Sequence, residues 1–90
     1  MKWMKKITMF IMASCPYCKK ALRWMDELRA EDTKYGEIET EIIDESARPD
    51  IARRYDYYYV PAFFIGEKKL HEGAADPDMI RRVFDVALEE

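Results

Sequence analysis

The 90-residue chain is poor in the residues that break or bridge structure: three glycines, four prolines, two cysteines and one histidine. With so few glycines and prolines, no low-complexity segment appears and disorder is not expected. Two cysteines cannot form the disulfide framework of a small secreted domain. Cys15, Cys18 and His71 supply three metal donors where structural zinc takes four, and no second CxxC or HxH pair makes up the difference. No apolar run approaches the roughly 18 residues a membrane-crossing helix needs, so no membrane partner is expected. The net charge is -3 and no basic stripe interleaves with aromatics, which argues against nucleic acid.

What is present suits a packed interior. The chain is 49% apolar and 13% aromatic, enough for a single domain over residues 1–90 despite its 37% charged residues. The charge is uneven: residues 1–30 carry seven Lys/Arg against two Asp/Glu, and residues 31–90 carry eight against sixteen. Lys19, Lys20 and Arg23 put the basic excess beside the cysteine pair. The opening "MKWMKKITMFIMASC" imitates a secretion or lipidation signal. Its apolar part, Ile7 to Ala13, is as short as such regions get, and cleavage would delete an apparent central strand. The strand reading is preferred.

The run "KITMFIMA" from Lys6 to Ala13 suits a strand covered on both faces. Pro16 then opens a helix to about Ala30, with Ala21, Leu22, Met25 and Leu28 on its apolar side. "TKYG" reads as a turn. "EIETEII" alternates, with Ile38, Thr40 and Ile42 on one side and glutamates on the other, which predicts a half-exposed strand. A short helix near Pro49 presents Ile51, Ala52 and Tyr55. "AFFI" is a second buried strand, "GEKK" a hairpin loop and "LHE" its return strand. Asp76 caps a last helix, with Pro77 in its first turn and Ile80, Val83, Phe84, Ala87 and Leu88 at helical spacing. The order is β-α-β-α-β-β-α. Strands separated by helices imply parallel pairs, and the hairpin adds an antiparallel edge.

"SCPYCKK" holds both thiols, three residues apart. A structural disulfide across so short a loop restrains almost nothing in the unfolded chain. A dimer sharing a metal or an iron–sulfur cluster stays open as an alternative. Redox chemistry explains the spacing better. Cys15 stands at the mouth of the helix begun by Pro16, where unpaired N–H groups near Tyr17 and Cys18 favour a thiolate, the nucleophilic form. Lys19 and Lys20 add positive potential. Cys18, one turn inside, is less accessible but can attack the mixed disulfide formed at Cys15. Pro16 stiffens the turn, and Tyr17 offers an apolar surface to a partner.

With these features the chain resembles a glutaredoxin, within the thioredoxin-fold superfamily. "CPYC" is the dithiol motif of that family, "YVPAFFIG" is similar to its Val–Pro landmark, and "HEGAADPD" is similar to its glycine-containing turn before a capped helix. The resemblance implies an α/β thioredoxin-like fold: a four-stranded mixed sheet with helices on both faces. It implies that Cys15 is the nucleophile and Cys18 the resolving thiol, with Val60 and a cis-Pro61 beside them. It assigns substrate contacts to Pro16, Tyr17, Tyr59, Val60, Pro61, Gly73, Ala74 and Asp76, the last three with Ala75 at the γ-glutamyl end of glutathione. The implied protein is a cytoplasmic, monomeric thiol–disulfide oxidoreductase with no organic cofactor or metal. Its substrates are disulfide-containing or glutathionylated proteins, and glutathione is its reductant.

Some residues depart from that pattern. Met12-Ala13-Ser14 stand where the family commonly has a lysine, Tyr59 replaces a threonine, and Gly73-Ala74 replace paired glycines. Arg53 and Arg54 are candidates for the missing positive charge. "GAADPDMIRR" also resembles the glutaredoxin-like redoxins of ribonucleotide reductase, which take electrons from thioredoxin reductase. A partner-binding or cluster-carrying thioredoxin-fold module is the non-enzymatic alternative. His71 is read as a surface or half-buried edge residue, and Tyr55, Tyr57, Tyr58 and Tyr59 as divided between core and groove. The six methionines read as packing.

Overall fold

The computed structural model describes residues 5–89. Its strands are β1 (Ile7–Ile11), β2 (Thr40–Asp44), β3 (Ala62–Ile65) and β4 (Lys68–Glu72). Its helices are α1 (Pro16–Glu31), α2 (Thr33–Gly36), α3 (Pro49–Ala52) and α4 (Pro77–Leu88). The four strands form one sheet in the order β2-β1-β3-β4. The apolar run of β1 therefore lies inside the sheet and is covered on both faces. Ile7 and Met9 join a core with Ala21, Met25 and Leu28 of α1 and Ile80, Val83, Phe84 and Ala87 of α4. Phe10 faces the other way and packs with Ile43, Ala62 and Phe64 under Ile51, Ala52, Tyr55 and Tyr57. Helices thus cover both faces of an α/β thioredoxin-like fold.

Strand direction corrects the sequence expectation. Strands β1 and β2 are parallel, joined through α1, but β3 runs antiparallel to both β1 and β4. The connection after β2 holds only the four-residue α3 and no crossover helix the length of α1. The chain stays at the end of the sheet where β2 finishes and enters β3 from there.

Three local expectations also sharpen or change. The "TKYG" turn is one turn of helix, α2, in which the Asp32 side chain accepts from the Lys34 N–H at 3.1 Å. Tyr35 is buried against Phe84, its hydroxyl donating to Asp85 at 2.5 Å. In β2 the burial does not follow the alternation. Ile42 is 46% exposed, whereas Ile43, one residue on, is buried beneath the α3 side. Strand β2 is an edge, so the α1/α4 cover runs out at Ile42. The hairpin loop shortens to Gly66-Glu67, because Lys68 already pairs with Ile65. Gly66 takes φ 60°, as the first loop residue of a two-residue hairpin often must.

Helix α4 follows its sequence signals closely. Asp76 accepts from the Met79 N–H at 2.8 Å, and Pro77 occupies the first turn. Among the described residues, no helix is long and apolar enough to cross a membrane.

Candidate active site

The site is built where β1 ends and α1 begins. Cys15 is the N-cap of α1, with extended backbone (φ -83°, ψ 116°) followed by Pro16. At that position the first-turn N–H groups lack helical partners. One of them, from Cys18, donates to the Cys15 Sγ at 3.4 Å. Burial alone would push the Cys15 thiol up. Hydrogen bonds from the Cys18 thiol and from the Cys18 and Tyr17 N–H groups outweigh it, so its pKa lies below the ordinary cysteine value. Lys19 and Lys20 are exposed on α1, where water screens their charge.

Cys18 differs in every respect. It is 1% exposed and burial, first of all, pushes its pKa up to about 12, with further upward influence from Cys15 and Glu45. The pair is therefore split into an accessible, acidic thiol and a sheltered one that stays protonated. Both are free thiols in this structure.

The second wall comes from the chain before β3. The Val60–Pro61 peptide bond is cis. The Val60 carbonyl oxygen lies 3.9 Å from the Cys15 Sγ, a long S–H···O contact. The Gly73 N–H donates to the Pro61 carbonyl at 2.9 Å, with Gly73 at φ 90°. The structure thus brings Cys15, Val60, Pro61 and Gly73 into one connected group. Tyr17 and Tyr59 project into solvent, 55% and 68% exposed. Asp76 is engaged as the α4 cap, and the Ala74 carbonyl meets the His71 ring Nε2 at 2.9 Å. For these two residues the geometry on hand is that of a turn and a cap.

The tyrosine cluster divides. Tyr57 stacks on Phe10 at 4.9 Å and Tyr55 tilts against it at 4.7 Å, while Tyr58 is 84% exposed. Tyr57 donates its hydroxyl to Glu45 at 2.8 Å. An open cavity of about 430 Å³ lies here, lined by Glu45, Arg53, Tyr57 and Tyr58 among others. Arg53 faces this cavity; Arg54 lines a different one, of about 340 Å³, with Glu67. Among the described residues, no three His, Cys, Asp or Glu side chains gather as a metal site would require.

Two residues of the site carried no sequence signal. Glu45 follows β2 directly, its N–H bound to the Ile11 carbonyl at 2.9 Å, and it acts on Cys18 through space. Glu72 accepts two backbone N–H groups from the loop before Val60. In the sequence both look like ordinary surface glutamates.

Comparisons with known proteins agree with this architecture. The sequence profile of the glutaredoxin family matches residues 7–70. No curated protein sequence matches the chain. Among solved structures, thioredoxin O1 from Arabidopsis thaliana in its oxidised state is similar over 96% of this chain and 79% of its own, at 20% identity and TM-score 0.69. A protein disulfide oxidoreductase from Aeropyrum pernix K1 is similar at 27% identity and TM-score 0.69, over 96% of this chain but 38% of that longer one. Glutaredoxin from Brucella melitensis is similar at 22% identity and TM-score 0.51, over 92% of this chain and 82% of its own.

Proposed function

This chain belongs to the glutaredoxin family, and from that premise we propose that it reduces disulfides through its Cys15–Cys18 pair. The observation that carries the reading is the split between the thiols: Cys15 half-exposed with a lowered pKa, Cys18 buried with a raised one. In the first step the Cys15 thiolate attacks one sulfur of a substrate disulfide. A Cys15–substrate disulfide forms, and the other substrate sulfur leaves as a thiolate that takes up a proton. In the second step Cys18 gives up its proton and its sulfur attacks that of Cys15. The second substrate thiol leaves, and a Cys15–Cys18 disulfide remains. Two electrons have passed from the protein to the substrate.

Two glutathione molecules can return those electrons, leaving as glutathione disulfide, with no organic cofactor on the protein. Val60 and Pro61, lying beside Cys15, would receive the peptide part of glutathione or of a glutathionylated protein. Pro16 and Tyr17 would border it, and Gly73, Ala74 and Asp76 would take its γ-glutamyl end. A reducing compartment such as the cytosol suits a dithiol that must be regenerated after each cycle. The sequence departures favour a second reading. With Met12-Ala13-Ser14 in place of a basic residue and Gly73-Ala74 in place of paired glycines, thioredoxin reductase would be the electron donor.

A mixed-disulfide assay tests the chemistry. Cys15→Ser should lose all activity. Cys18→Ser should trap mixed disulfides with protein substrates yet still turn over glutathionylated ones, which need a single thiol. Retained activity in Cys15→Ser would refute the assignment. Reducing the oxidised protein with glutathione or with thioredoxin reductase then separates the two donors.

A further inference from the structure

The loop before Val60 is held in a way that thiol chemistry alone does not require. The N–H groups of Tyr58 and Tyr59 both donate to one carboxylate oxygen, Oε2 of Glu72, at 2.7 and 2.9 Å. The other oxygen, Oε1, accepts from the Lys69 ammonium. Glu72 ends β4, where it pairs with Ala62, and Gly73 next to it donates to the Pro61 carbonyl. The end of β4 therefore grips the chain on both sides of Val60. The Glu72 side chain holds the two peptides before it, and the Gly73 backbone holds the carbonyl after it. The Val60 carbonyl in turn faces the Cys15 sulfur.

Tyr57 and Val60 pack against the α3-side core at the two ends of this loop, but its middle is held differently. The Tyr58 and Tyr59 rings are largely in solvent, and the stretch lies between α3 and β3 outside any regular element. What holds its middle is the shared carboxylate. Hydrogen bonds to a charged acceptor are roughly twice as strong as neutral ones. The Lys69 hydrogen bond, followed by the two N–H groups, draws the Glu72 pKa down to about 2, so the acceptor is charged at every working pH. Val60, whose backbone the proposed function assigns to the peptide part of the substrate, follows directly on the two held N–H groups.

We propose that Glu72 is a positioning residue: it presents the Tyr58–Val60 segment so that a peptide-bearing disulfide docks beside Cys15. The proposal rests on the disulfide-reductase reading given above. The Glu72 carboxylate is bonded to the Tyr58 and Tyr59 N–H groups and to Lys69, not to either sulfur, and acts through the loop it holds.

The experiment compares reduced wild type, Glu72→Gln and Glu72→Ala, each with two reagents. One is a glutathionylated peptide, which must dock; the other is iodoacetamide, which need not. Glu72→Ala should slow the reaction with the peptide about tenfold through misplacement of the docking edge. Its alkylation rate and the pH midpoint of that rate should stay at the wild-type values. Glu72→Gln keeps an acceptor oxygen and should lose only about threefold, since a neutral acceptor binds the two N–H groups less well. In the wild type, the Tyr58 and Tyr59 amide protons should exchange slowly despite their exposed rings. An unchanged peptide rate in Glu72→Ala overturns the proposal, as does an equal slowing of both reagents, which marks general loosening. Rapid exchange of the two amides in the wild type overturns it without any variant. A wild type that reacts with disulfides no faster than free cysteine overturns the functional reading as well.

Discussion

The Sγ of Cys15 stands 3.9 Å from the carbonyl oxygen of Val60, 45 residues further along the chain. While Cys15 is a thiol it can donate to that oxygen; as a thiolate it cannot. Ionisation therefore activates the nucleophile and removes the donor that faces the Val60 carbonyl.

Cys15 reactivity should follow its lowered pKa. The alkylation rate should rise with pH to a plateau whose midpoint lies below the ordinary cysteine range, and fall as pH drops through that midpoint. Because Lys19 and Lys20 are exposed on α1, Lys19→Gln and Lys20→Gln should each leave that midpoint nearly where it is, as screened surface charges do. Stopped-flow alkylation across a pH series reads both.

Cys18 makes the opposite contribution at alkaline pH. Its folded value, about 12, lies above that of an unfolded thiol. Below the unfolded value both states are protonated and no stability is lost. Between that value and about 12 the unfolded chain ionises first, so stability falls as pH rises. Urea unfolding at several pH values should show a shallower alkaline decline in Cys18→Ala than in wild type.

Phe10 holds the α3 side of the sheet. Fully buried, it meets Tyr55, Tyr57 and Phe64 with ring centroids 4.7, 4.9 and 5.8 Å away. Phe10→Ala should cost about 3–5 kcal/mol of unfolding free energy. It should also loosen the segment that leads into Val60.

Asp76 separates a helix cap from a substrate contact. Through the Met79 N–H it should account for about 1 kcal/mol, lost in Asp76→Ala and largely kept in Asp76→Ser. If glutathione also uses it, Asp76→Ser should restore stability without restoring the rate with glutathione.

Gly73 is needed for its backbone. An added Cβ would meet only the Tyr59 Cβ, at an ordinary 3.8 Å, but φ 90° is strained for any residue with a side chain. Gly73→Ala should therefore cost on the order of 1–3 kcal/mol and disturb the hydrogen bond to Pro61. Thermal unfolding measures the first effect, and exchange of the residue-73 amide the second.

The amino-acid sequence by itself determined whatever depends on neighbours a turn or a strand apart. Pro16 and Asp76 start their helices, the spacing of Ala21, Met25 and Leu28 sets a buried face, and the run through Ile7–Phe10 makes a strand buried on both sides. The two thiols and the Val60–Pro61 step were legible for the same reason, as short motifs beside element ends. Tertiary contact decided the rest. The antiparallel sense of β3, the burial of Ile43 in place of Ile42 and the helical turn at Tyr35 depend on which surfaces lie opposite. Glu72 is the plainest case. Only when β4 returns beside Ala62 does its carboxylate reach two N–H groups 13 and 14 residues earlier in the chain. A hydrogen bond acts over about 3 Å of space whatever the separation along the chain, and folding alone sets that distance.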